Sequence, residues 1–573
     1  MKPWYFEDPS RLQRERDEIA TLYASSPWLT KGTWVNLDGD LAYEFDMGVG
    51  ERVYEGRLVY PDLFPDAAAW IVPRKDGESW SNHQFLSGTL CLQHRPDTWH
   101  SEVTGAMVIT SAHDLIRIEK PGPGIEPRTA PSAHRSTEGE RLRESKRRGV
   151  FSAEGMRFLN ALPVGSRARL TFSMPAESVY FRPVLSAVER NGAQVRLSDV
   201  PDFNAFKTLR TIDYDGYAFR VDSNDVPAAF ASNVELLMFL VTHGFANALP
   251  PAGPEAIYFA LIGGAGAMRL FFATTEPTGS PAEYAVIVSD EPLRRLPKNL
   301  ANIARKRVAV IGCGSVGSKI AASLARSGVR QFLLVDHDIL RPENLVRNEL
   351  DWYQVGLHKV HALRDRLNMI AGGVSVEVME NAAGSAISSR YMSAAYEQIG
   401  ACDLIIDATA RALVFVRLAG IARRRAKPLI WGELFAGGIG GLVARSRPKA
   451  DASPLQVRSA MLAHLATLSE APYRGAIDYD DVDAIEPLVG LDAEVGFLAS
   501  VMTQLSVDVL AESQPSRFPY SAYRFGLCAE WAFDGPFEFV PIETPSPVET
   551  DSSLDPAAVL EAAEFMQSLD AKT

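Results

Sequence analysis

One stretch decides the fold of the largest part of the chain: RVAVIGCGSVGSKIAASLARSGVRQFLLVDHDILRPENLVRNELDWYQVGLHK, residues 307–359. An apolar run leads into three glycines with G-x-G-x-x-G spacing, then a helical pattern, and then a second apolar run that ends in an aspartate. Glycines permit a tight turn, and the N-terminus of the following helix offers free N–H groups to phosphate. The order predicts a nucleotide-binding βαβ unit in which Gly312, Gly314 and Gly317 cradle phosphates and Asp336 holds ribose hydroxyls.

Polar side chains downstream of Asp336 separate two classes of nucleotide enzyme. A redox dinucleotide keeps its pyrophosphate intact. Breaking an α–β phosphate bond instead builds negative charge on the leaving pyrophosphate, which basic side chains and a carboxylate-bound Mg²⁺ stabilise. The pattern therefore favours phosphate-bond cleavage over hydride transfer. The residues concerned are Asp338, Asn344, Arg347, Lys359 and, after a later apolar run, Asp407.

This pattern resembles the adenylation domain of the ThiF/MoeB and ubiquitin-activating enzyme superfamily, over residues 296–542. The resemblance rests on G-x-G-x-x-G, D-x-D, N-L-x-R and the downstream Lys and Asp, although Asn348 stands where the family usually has Gln. It implies ATP and Mg²⁺, and a homodimer in which Arg294, Arg295 or Arg305 reaches the partner's site. It also implies that Asp336 is the ribose ligand and that Asp407 is the Mg²⁺ carboxylate. The implied triphosphate ligands are Asn344, Arg347 and Lys359.

Residues 1–120 carry a second pattern, centred on SNHQFLSGTLCLQHRPDTWH (81–100). A short helical pattern, strand-like runs and a proline-punctuated segment precede it, and a helix-like run follows. This order resembles the ubiquitin-conjugating enzyme fold, in which G-x-[IL]-C-L carries the nucleophilic cysteine and a Trp follows eight residues later. Cys91 and Trp99 match those two positions.

The chemistry of this second segment centres on the thiol of Cys91, because a thiolate attacks acyl groups well and a thioester stays reactive toward amines. An ordinary thiol, with a pKa of about 8.5, is only a few per cent thiolate at neutral pH. His83, His94 and Arg95 lie near enough in sequence to favour the thiolate. The family's H-P-N box is degraded, so Asn82, His83 and backbone N–H groups all stay open as donors to the oxyanion.

The chain has four cysteines, Cys91, Cys313, Cys402 and Cys528, with no C-x-x-C pair. This usage excludes a disulfide scaffold and a thiolate zinc site, and it fits a reducing cytoplasm. Cys313 lies within the phosphate loop and Cys402 directly before an apolar strand, so we expect both to be structural. Two routes stay open: the acyl group passes to Cys528 and then to Cys91, or straight from the adenylate to Cys91.

The length and net charge of the chain limit the number of domains and the kinds of partner that we expect. A chain of 573 residues suggests three or four domains. The net charge of −13 argues against a general nucleic-acid binder. Because the N-terminus lacks an apolar signal core and no long uncharged apolar window stands out, we expect a cytoplasmic protein without a membrane partner.

The predicted fold is a multidomain α/β protein. Its parts are an N-terminal α+β ubiquitin-conjugating-like domain, a middle α/β domain without a catalytic signature, and a C-terminal Rossmann-like ThiF-type adenylation domain. A linker rich in Pro, Gly, Ser and charge separates the first two, and a tail ends the chain. The predicted boundaries are 1–120, 121–150 for the linker, 151–295, 296–542 and 543–573 for the tail.

The two catalytic modules together imply a relay. A protein's C-terminal carboxylate is activated with ATP as an acyl adenylate, a cysteine takes the acyl group, and a target amine receives it. This arrangement is similar to the bacterial fused conjugating–activating enzymes of anti-phage operons, notably those beside cyclic-oligonucleotide signalling (CBASS) genes. The resemblance implies the CBASS nucleotidyltransferase, or a ubiquitin-like protein, as the activated partner. The alternatives are a sulfur-carrier adenylyltransferase of cofactor biosynthesis, an NAD-dependent oxidoreductase and a non-catalytic scaffold.

Overall fold

The chain divides into two compact units, Met1–Arg141 and Leu142–Thr573. The computed structural model describes residues 3–37, 39–81, 83–85, 87–120, 142, 145–175, 181–203, 211–222, 226–227, 229–251, 253–264, 267–276, 278–289, 296–380, 389–470 and 490–547. Most of the predicted linker and of the C-terminal tail lie outside these ranges, and so do Asn82, Arg294 and Arg295.

The first unit is an antiparallel sheet with helices at either end of its sequence. Its elements are α1 (Trp4–Glu7), α2 (Pro9–Ser25), β1 (Leu29–Leu37), β2 (Asp40–Val49), β3 (Arg52–Val59), β4 (Trp70–Pro73) and α3 (Gly105–Glu119). The four strands pair in sequence order, each antiparallel to the next. The thirty or so residues between β4 and α3, which include Cys91, form no helix or named strand in their described part.

The core of this unit joins the inner face of the sheet to α3, through fully buried side chains such as Phe45, Leu58 and Ile109. A buried glutamate, Glu15 of α2, ties the start of α3 to the sheet. Its carboxylate accepts hydrogen bonds from the Gly105 N–H at 2.7 Å and the Tyr60 hydroxyl at 2.8 Å. The apolar packing and this polar tie together fix α3 against the sheet.

The second unit begins with an eight-stranded sheet, in the order β5-β12-β11-β10-β9-β6-β7-β8. One further pairing, Val150 with Val184, joins β5 to β7. Two short helices, α4 (Ala153–Asn160) and α5 (Asn233–Leu240), accompany it. The strands are β5 (Arg148–Phe151), β6 (Arg167–Pro175), β7 (Val184–Arg190), β8 (Ala193–Arg196), β9 (Thr211–Arg220), β10 (Ile257–Ile262), β11 (Met268–Ala273) and β12 (Ala282–Val288).

A second eight-stranded sheet follows, in the order β15-β14-β13-β16-β17-β18-β19-β20. Its strands are β13 (Arg307–Ile311), β14 (Gln331–Val335), β15 (Ser375–Met379), β16 (Leu404–Asp407), β17 (Leu429–Leu434), β18 (Gly440–Ser446), β19 (Ala522–Gly526) and β20 (Phe539–Ile542). The first five in spatial order are parallel and the last three antiparallel. Helices cover it: α6 (Ser315–Arg326), α7 (Lys359–Ile370), α8 (Ser389–Gly400), α9 (Ala412–Arg425), α10 (Pro454–Ala466) and α11 (Asp492–Leu510).

The central strands of this sheet are buried on both faces, which is why they read as continuous apolar runs. The chain leaves β13 toward β14 on one side and later returns to β16 on the other. The strand order therefore reverses beside β13, and ligands of such sheets bind in the crevice at the carboxyl ends of the strands at this point.

Helix α11 is, within the described ranges, the one helix whose length and apolar composition would let it cross a membrane, and half of its most apolar stretch is buried in the protein. Leu498, Met502 and Leu505 pack into the same core cluster as Ile320 and Leu324 of α6. Core helices of this kind pass the same test of length and composition, so the feature is weak evidence for a membrane span.

Candidate nucleotide and thiol sites

The glycine turn between β13 and α6 is built so that only glycine fits at two of its positions. Gly312 has φ +87°, the left-handed region that favours glycine. A Cβ at Gly317 would lie 1.8 Å from the Gly312 carbonyl oxygen. Gly314, the N-cap of α6, has no side chain to cap the helix, and a Cβ there would meet nothing within 4 Å. The space that a side chain at position 314 would occupy is therefore open, and it lies at the helix N-terminus, where N–H groups suit a phosphate group.

Asp336 ties the end of β14 to this turn. Its Oδ2 accepts the Cys313 N–H at 2.7 Å, and its Oδ1 accepts the Asp338 N–H at 2.9 Å. Each oxygen of an ionised carboxylate can accept a further hydrogen bond. The carboxylate is thus oriented by the backbone while keeping acceptor capacity for ribose hydroxyls.

Lys359, the first residue of α7, lies beside the same turn. Its Nζ is 2.9 Å from Asp338 Oδ2, and the side chain is almost fully buried. Burial alone would raise the pKa of Asp338. The hydrogen bond and the charge of Lys359 outweigh that effect and lower this pKa. Burial, and next Asp336, raise the pKa of the Cys313 thiol, while Lys359 opposes them. The lysine charge therefore acts on both the aspartate run and the phosphate loop.

Asp407 ends β16 on the other side of the glycine turn. Ile311 pairs with Val335, directly before Asp336, and with Asp407 itself. The Asp407 side chain is 3% exposed, and its Oδ1 accepts hydrogen bonds from the Thr409 N–H at 3.0 Å and the Thr409 hydroxyl at 2.6 Å. Burial raises its pKa, while those hydrogen bonds act in the opposite direction. Asp407 is thus a buried carboxylate at the sheet edge, suited to a cation ligand.

A second, half-buried carboxylate, Glu433 of β17, lies on the same face and was missed by the sequence analysis. Asp407 pairs with Trp431, and side chains two apart on a strand share a face. Burial raises the pKa of Glu433; Arg458 of α10 opposes this, and Asp407 adds to it. The signal in the sequence was an acid inside the otherwise apolar run LIWGEL.

The aspartate run after β14 also brings possible metal ligands together: one ligand atom each from Asp336, His337 and Asp338 lie within 4.8 Å of one another. Asp338 already pairs with Lys359, which reduces the charge available to a cation. Asp407, at the other side of the turn, stays the predicted metal carboxylate.

Asn344 and Arg347 lie on and just after a short 3₁₀ turn, Pro342–Val346. The Asn344 side chain caps this turn by accepting the Arg341 N–H at 3.0 Å. Arg347 Nη1 donates to the Gly490 carbonyl at 3.5 Å, just before α11. Of the predicted nucleotide ligands, the three glycines, Asp336, Lys359 and Asp407 lie together at the carboxyl ends of the parallel strands. Asn344 and Arg347 make the local hydrogen bonds just described.

The thiol segment of the first unit forms a tight hairpin. The Cys91 N–H donates to the His83 carbonyl at 2.7 Å, and Gln84 bridges Leu90 in antiparallel fashion. Cys91 is half-buried. Trp99, the tryptophan predicted eight residues after Cys91, stabilises the loop that follows the cysteine, because its indole Nε1–H donates to the Pro65 carbonyl at 2.7 Å.

The three basic side chains predicted near Cys91, those of His83, His94 and Arg95, have different surroundings in the structure. Burial, and next His100, lower the pKa of His94, so the expectation that a charged His94 favours the thiolate is wrong at neutral pH. Arg95 pairs with Asp97 at 2.7 Å and donates to the Leu92 carbonyl. His83 instead contacts a buried carboxylate, Glu119, with Nδ1 2.7 Å from Oε1.

A cavity of about 310 Å³ lies beside the residues that follow Cys91. Gln93 and His94 form one wall, and Met107, Thr110 and Asp114 of α3 contribute to the other. The cavity is open and mixed in polarity.

The surroundings of the three other cysteines raise the pKa of each thiol. Burial raises the pKa of Cys402 to about 11. Cys528 has its Sγ 3.8 Å from the Ile439 carbonyl, and burial and the Glu530 carboxylate raise its pKa. Cys313 is fully buried in the phosphate loop. A raised pKa disfavours the thiolate that acyl transfer needs, so these surroundings argue against Cys528 as a relay.

Comparison with known proteins finds a family match and several similar proteins for the region around the glycine turn. Residues 293–453 match the model of the ThiF family. The uncharacterized protein y4oA of Sinorhizobium fredii is 34% identical over 28% of this chain and 29% of its own length. The ATP-dependent ubiquitin transferase-like protein Cap2 of Vibrio cholerae is 33% identical over 22% and 21%. Ubiquitin-like modifier-activating enzyme 5 of Caenorhabditis elegans is 34% identical over 18% and 29%.

These alignments are local: the chain spans less than a third of the length of each of those three curated relatives. Among solved structures, Escherichia coli MccB with ATP superposes with a TM-score of 0.33 at 16% identity, over 44% of this chain and 67% of that one.

Proposed function

We propose that this chain, whose residues 293–453 form a ThiF family domain, uses ATP to activate a protein's C-terminus and then conjugates that protein to a target amine. One observation carries the proposal. The open helix N-terminus at Gly314, the ribose-type carboxylate Asp336, Lys359 and the buried Asp407 meet at one edge of the parallel sheet.

In the first step, an oxygen of the substrate's C-terminal carboxylate attacks the α-phosphorus of ATP, and pyrophosphate leaves. Charge grows on the leaving group, so groups already in place to receive it lower the barrier. The free N–H groups at the start of α6 suit the phosphates. Lys359 supplies a positive charge that Asp338 holds in place at 2.9 Å.

Asp407 would hold Mg²⁺, which supplies charge neutralisation at the phosphates. The residues fit this role, because the buried carboxylate carries a raised pKa and a nearby cation would favour its ionised form. Glu433 on the same face is a second acidic group that the same cation would stabilise.

In the second step, the Cys91 thiolate attacks the acyl carbon and AMP leaves, giving a thioester. An amine of the target then attacks the thioester; the C–S bond breaks as the amide forms, and the proton released by the amine converts the leaving thiolate to the thiol. The order of elements in the first unit supports this reading, since a helix, a four-stranded antiparallel meander, a cysteine segment and a helix follow the ubiquitin-conjugating pattern. The raised pKa of Cys528 favours direct transfer to Cys91.

The biological setting is proposed on the same basis. Local similarity to the Cap2 proteins supports a CBASS-type role in bacterial anti-phage defence, with the nucleotidyltransferase or a ubiquitin-like protein as the activated partner. A cytoplasmic homodimer that binds neither nucleic acid nor membrane completes the proposal; Arg305, which is exposed, is the described candidate for an arginine that reaches across.

The test is ATP–pyrophosphate exchange by the full chain with a purified candidate partner. Asp407→Ala and Lys359→Ala should each abolish most of the exchange, while the exposed-site controls Asp534→Ala and Lys298→Ala should leave it unchanged. Absence of exchange with every candidate partner would refute adenylation and leave the scaffold reading. Exchange that persists in Asp407→Ala would refute the role assigned to Asp407.

The conjugation step needs its own measurement. A thiol-reducible adduct between chain and partner should form in wild type and in Cys528→Ala, and not in Cys91→Ala. An adduct that depends on Cys528 alone would reverse the proposed route. Exchange without any adduct would favour a sulfur-carrier adenylyltransferase.

A further inference from the structure

We propose that Glu119 is a positioning residue that holds the imidazole of His83 beside Cys91, so that His83 Nε2 takes the thiol proton. The inference deepens the proposed function, on which it rests for its biological purpose. Glu119 is the last residue of α3, 36 positions after His83 in the chain, and the sequence patterns gave it no role.

The hairpin places His83 opposite the thiol. Gln84 pairs with Leu90, so continuing the antiparallel register by one residue sets His83 against Cys91, and the Cys91 N–H does donate to the His83 carbonyl at 2.7 Å. Side chains directly opposite each other in an antiparallel pair lie on one face, with Cβ atoms about 5 Å apart. An imidazole and a thiol at that spacing are within reach of each other, directly or through one water.

The hydrogen bonds of Glu119 decide which ring nitrogen is available. Its side chain is 2% exposed, with Oε1 2.7 Å from His83 Nδ1, and Oε2 accepts the Ser81 hydroxyl at 2.6 Å. Ser81 Oγ in turn accepts the His83 N–H at 2.8 Å. With Glu119 ionised, its oxygens only accept, so Nδ1 carries the hydrogen in that contact. The remaining nitrogen, Nε2, is left with its lone pair to accept a proton.

The position of Glu119 is costly for a purely structural acid. A carboxylate in the last turn of a helix faces the negative end of the helix dipole. Burying it adds a desolvation cost unless it is hydrogen-bonded and paired with a cation. Protonated His83 would be that cation. Transfer of the proton from Cys91 Sγ to His83 Nε2 gives a thiolate and an imidazolium, and the imidazolium rests against the Glu119 carboxylate.

Alkylation of the full chain with iodoacetamide tests this without any partner protein. The rate at each cysteine is read by peptide mass spectrometry between pH 6 and pH 10. Glu119→Gln keeps the size of the side chain and removes its charge, and His83→Asn removes the base. The matched control is Glu102→Gln, a change of an exposed glutamate in the same unit.

At pH 7 we expect Cys91 to react several-fold more slowly in both variants, with a ceiling of about 30-fold because an ordinary thiol is about 3% ionised at that pH. At pH 10 the rates should converge, since the thiol then ionises without a base. The rate at Cys528 and the behaviour of Glu102→Gln should match wild type.

A merely structural clamp predicts the opposite direction, because a loosened hairpin exposes the thiol and speeds its alkylation at every pH. Unchanged or faster reaction of Cys91 at pH 7 in His83→Asn, whose fold is checked by its thermal unfolding, would overturn the proposal even if Glu119→Gln is unstable. Normal alkylation profiles combined with no reducible adduct would instead count against the conjugation step alone.

Discussion

Two single-methyl substitutions in the glycine turn should separate its structural role from its binding role. Gly317→Ala places a Cβ 1.8 Å from the Gly312 carbonyl oxygen, whereas Gly314→Ala places one where nothing lies within 4 Å. Contacts below 3.0 Å essentially never occur, so the first change must push two backbone segments more than about 1 Å apart. The second change fills the open space before α6 without disturbing the fold.

The expected magnitudes differ accordingly. Forcing a packed backbone contact apart costs about 1–3 kcal/mol, which lowers Tm by roughly 2–4 °C per kcal/mol in a domain of this size. Gly314→Ala should leave Tm within about 1 °C but weaken ATP binding about tenfold, or 1.4 kcal/mol, because the methyl competes with a phosphate for the helix N-terminus.

Differential scanning calorimetry and isothermal titration with ATP measure the two quantities on the same samples. Gly496→Ala is the matched control, because a Cβ there also meets nothing within 4 Å and the site lies within helix α11. It should keep both ATP affinity and fold. Undiminished ATP binding by Gly314→Ala would refute the reasoning that the phosphates sit at this helix N-terminus.

Three further changes test other parts of the structure. Asp407→Asn should abolish pyrophosphate exchange yet raise Tm, by an amount equivalent to about 1 kcal/mol. Because the folded pKa of Asp407 is raised, its cost to stability appears as the pH rises, so the calorimetric gain should be larger at pH 8 than at pH 5. Arg445→Ala removes the fully buried partner of Asp508, held at 2.9 Å, and should cost about 3 kcal/mol in urea unfolding. Gly105→Ala, whose Cβ would lie 2.1 Å from the buried Tyr60 hydroxyl, should destabilise the first unit by about 2 kcal/mol, seen as a lower Tm.

The sequence predicts those parts of the site that short-range rules determine. The glycine turn, Asp336 and Asp407 each end or follow an apolar strand, and parallel strands bring such ends to one edge. The family match over residues 293–453 confirms the ThiF-type prediction. The cysteine hairpin could be anticipated in the same way, because it is local in the chain.

Other features depend on packing between distant segments, and no pattern in the sequence encodes them. The pairing of Lys359 with Asp338 needs the approach of α7 to the end of β14. His83 meets Glu119 only because α3 returns across the thiol segment. The error at His94 has the same origin, since proximity in sequence suggested a charge that burial removes.

Burial also bears on which of the four thiols could accept an activated acyl group. Cys313 lies in the phosphate loop itself, where its backbone N–H donates to Asp336 at 2.7 Å, so it would lie close to any adenylate formed there. Acyl transfer needs the thiolate, and complete burial beside Asp336 keeps this thiol protonated. A reactive thiol must instead be accessible and have a base at hand. Cys91 and Cys528 are both half-buried, and Cys91 lies opposite a histidine that a buried carboxylate holds in place.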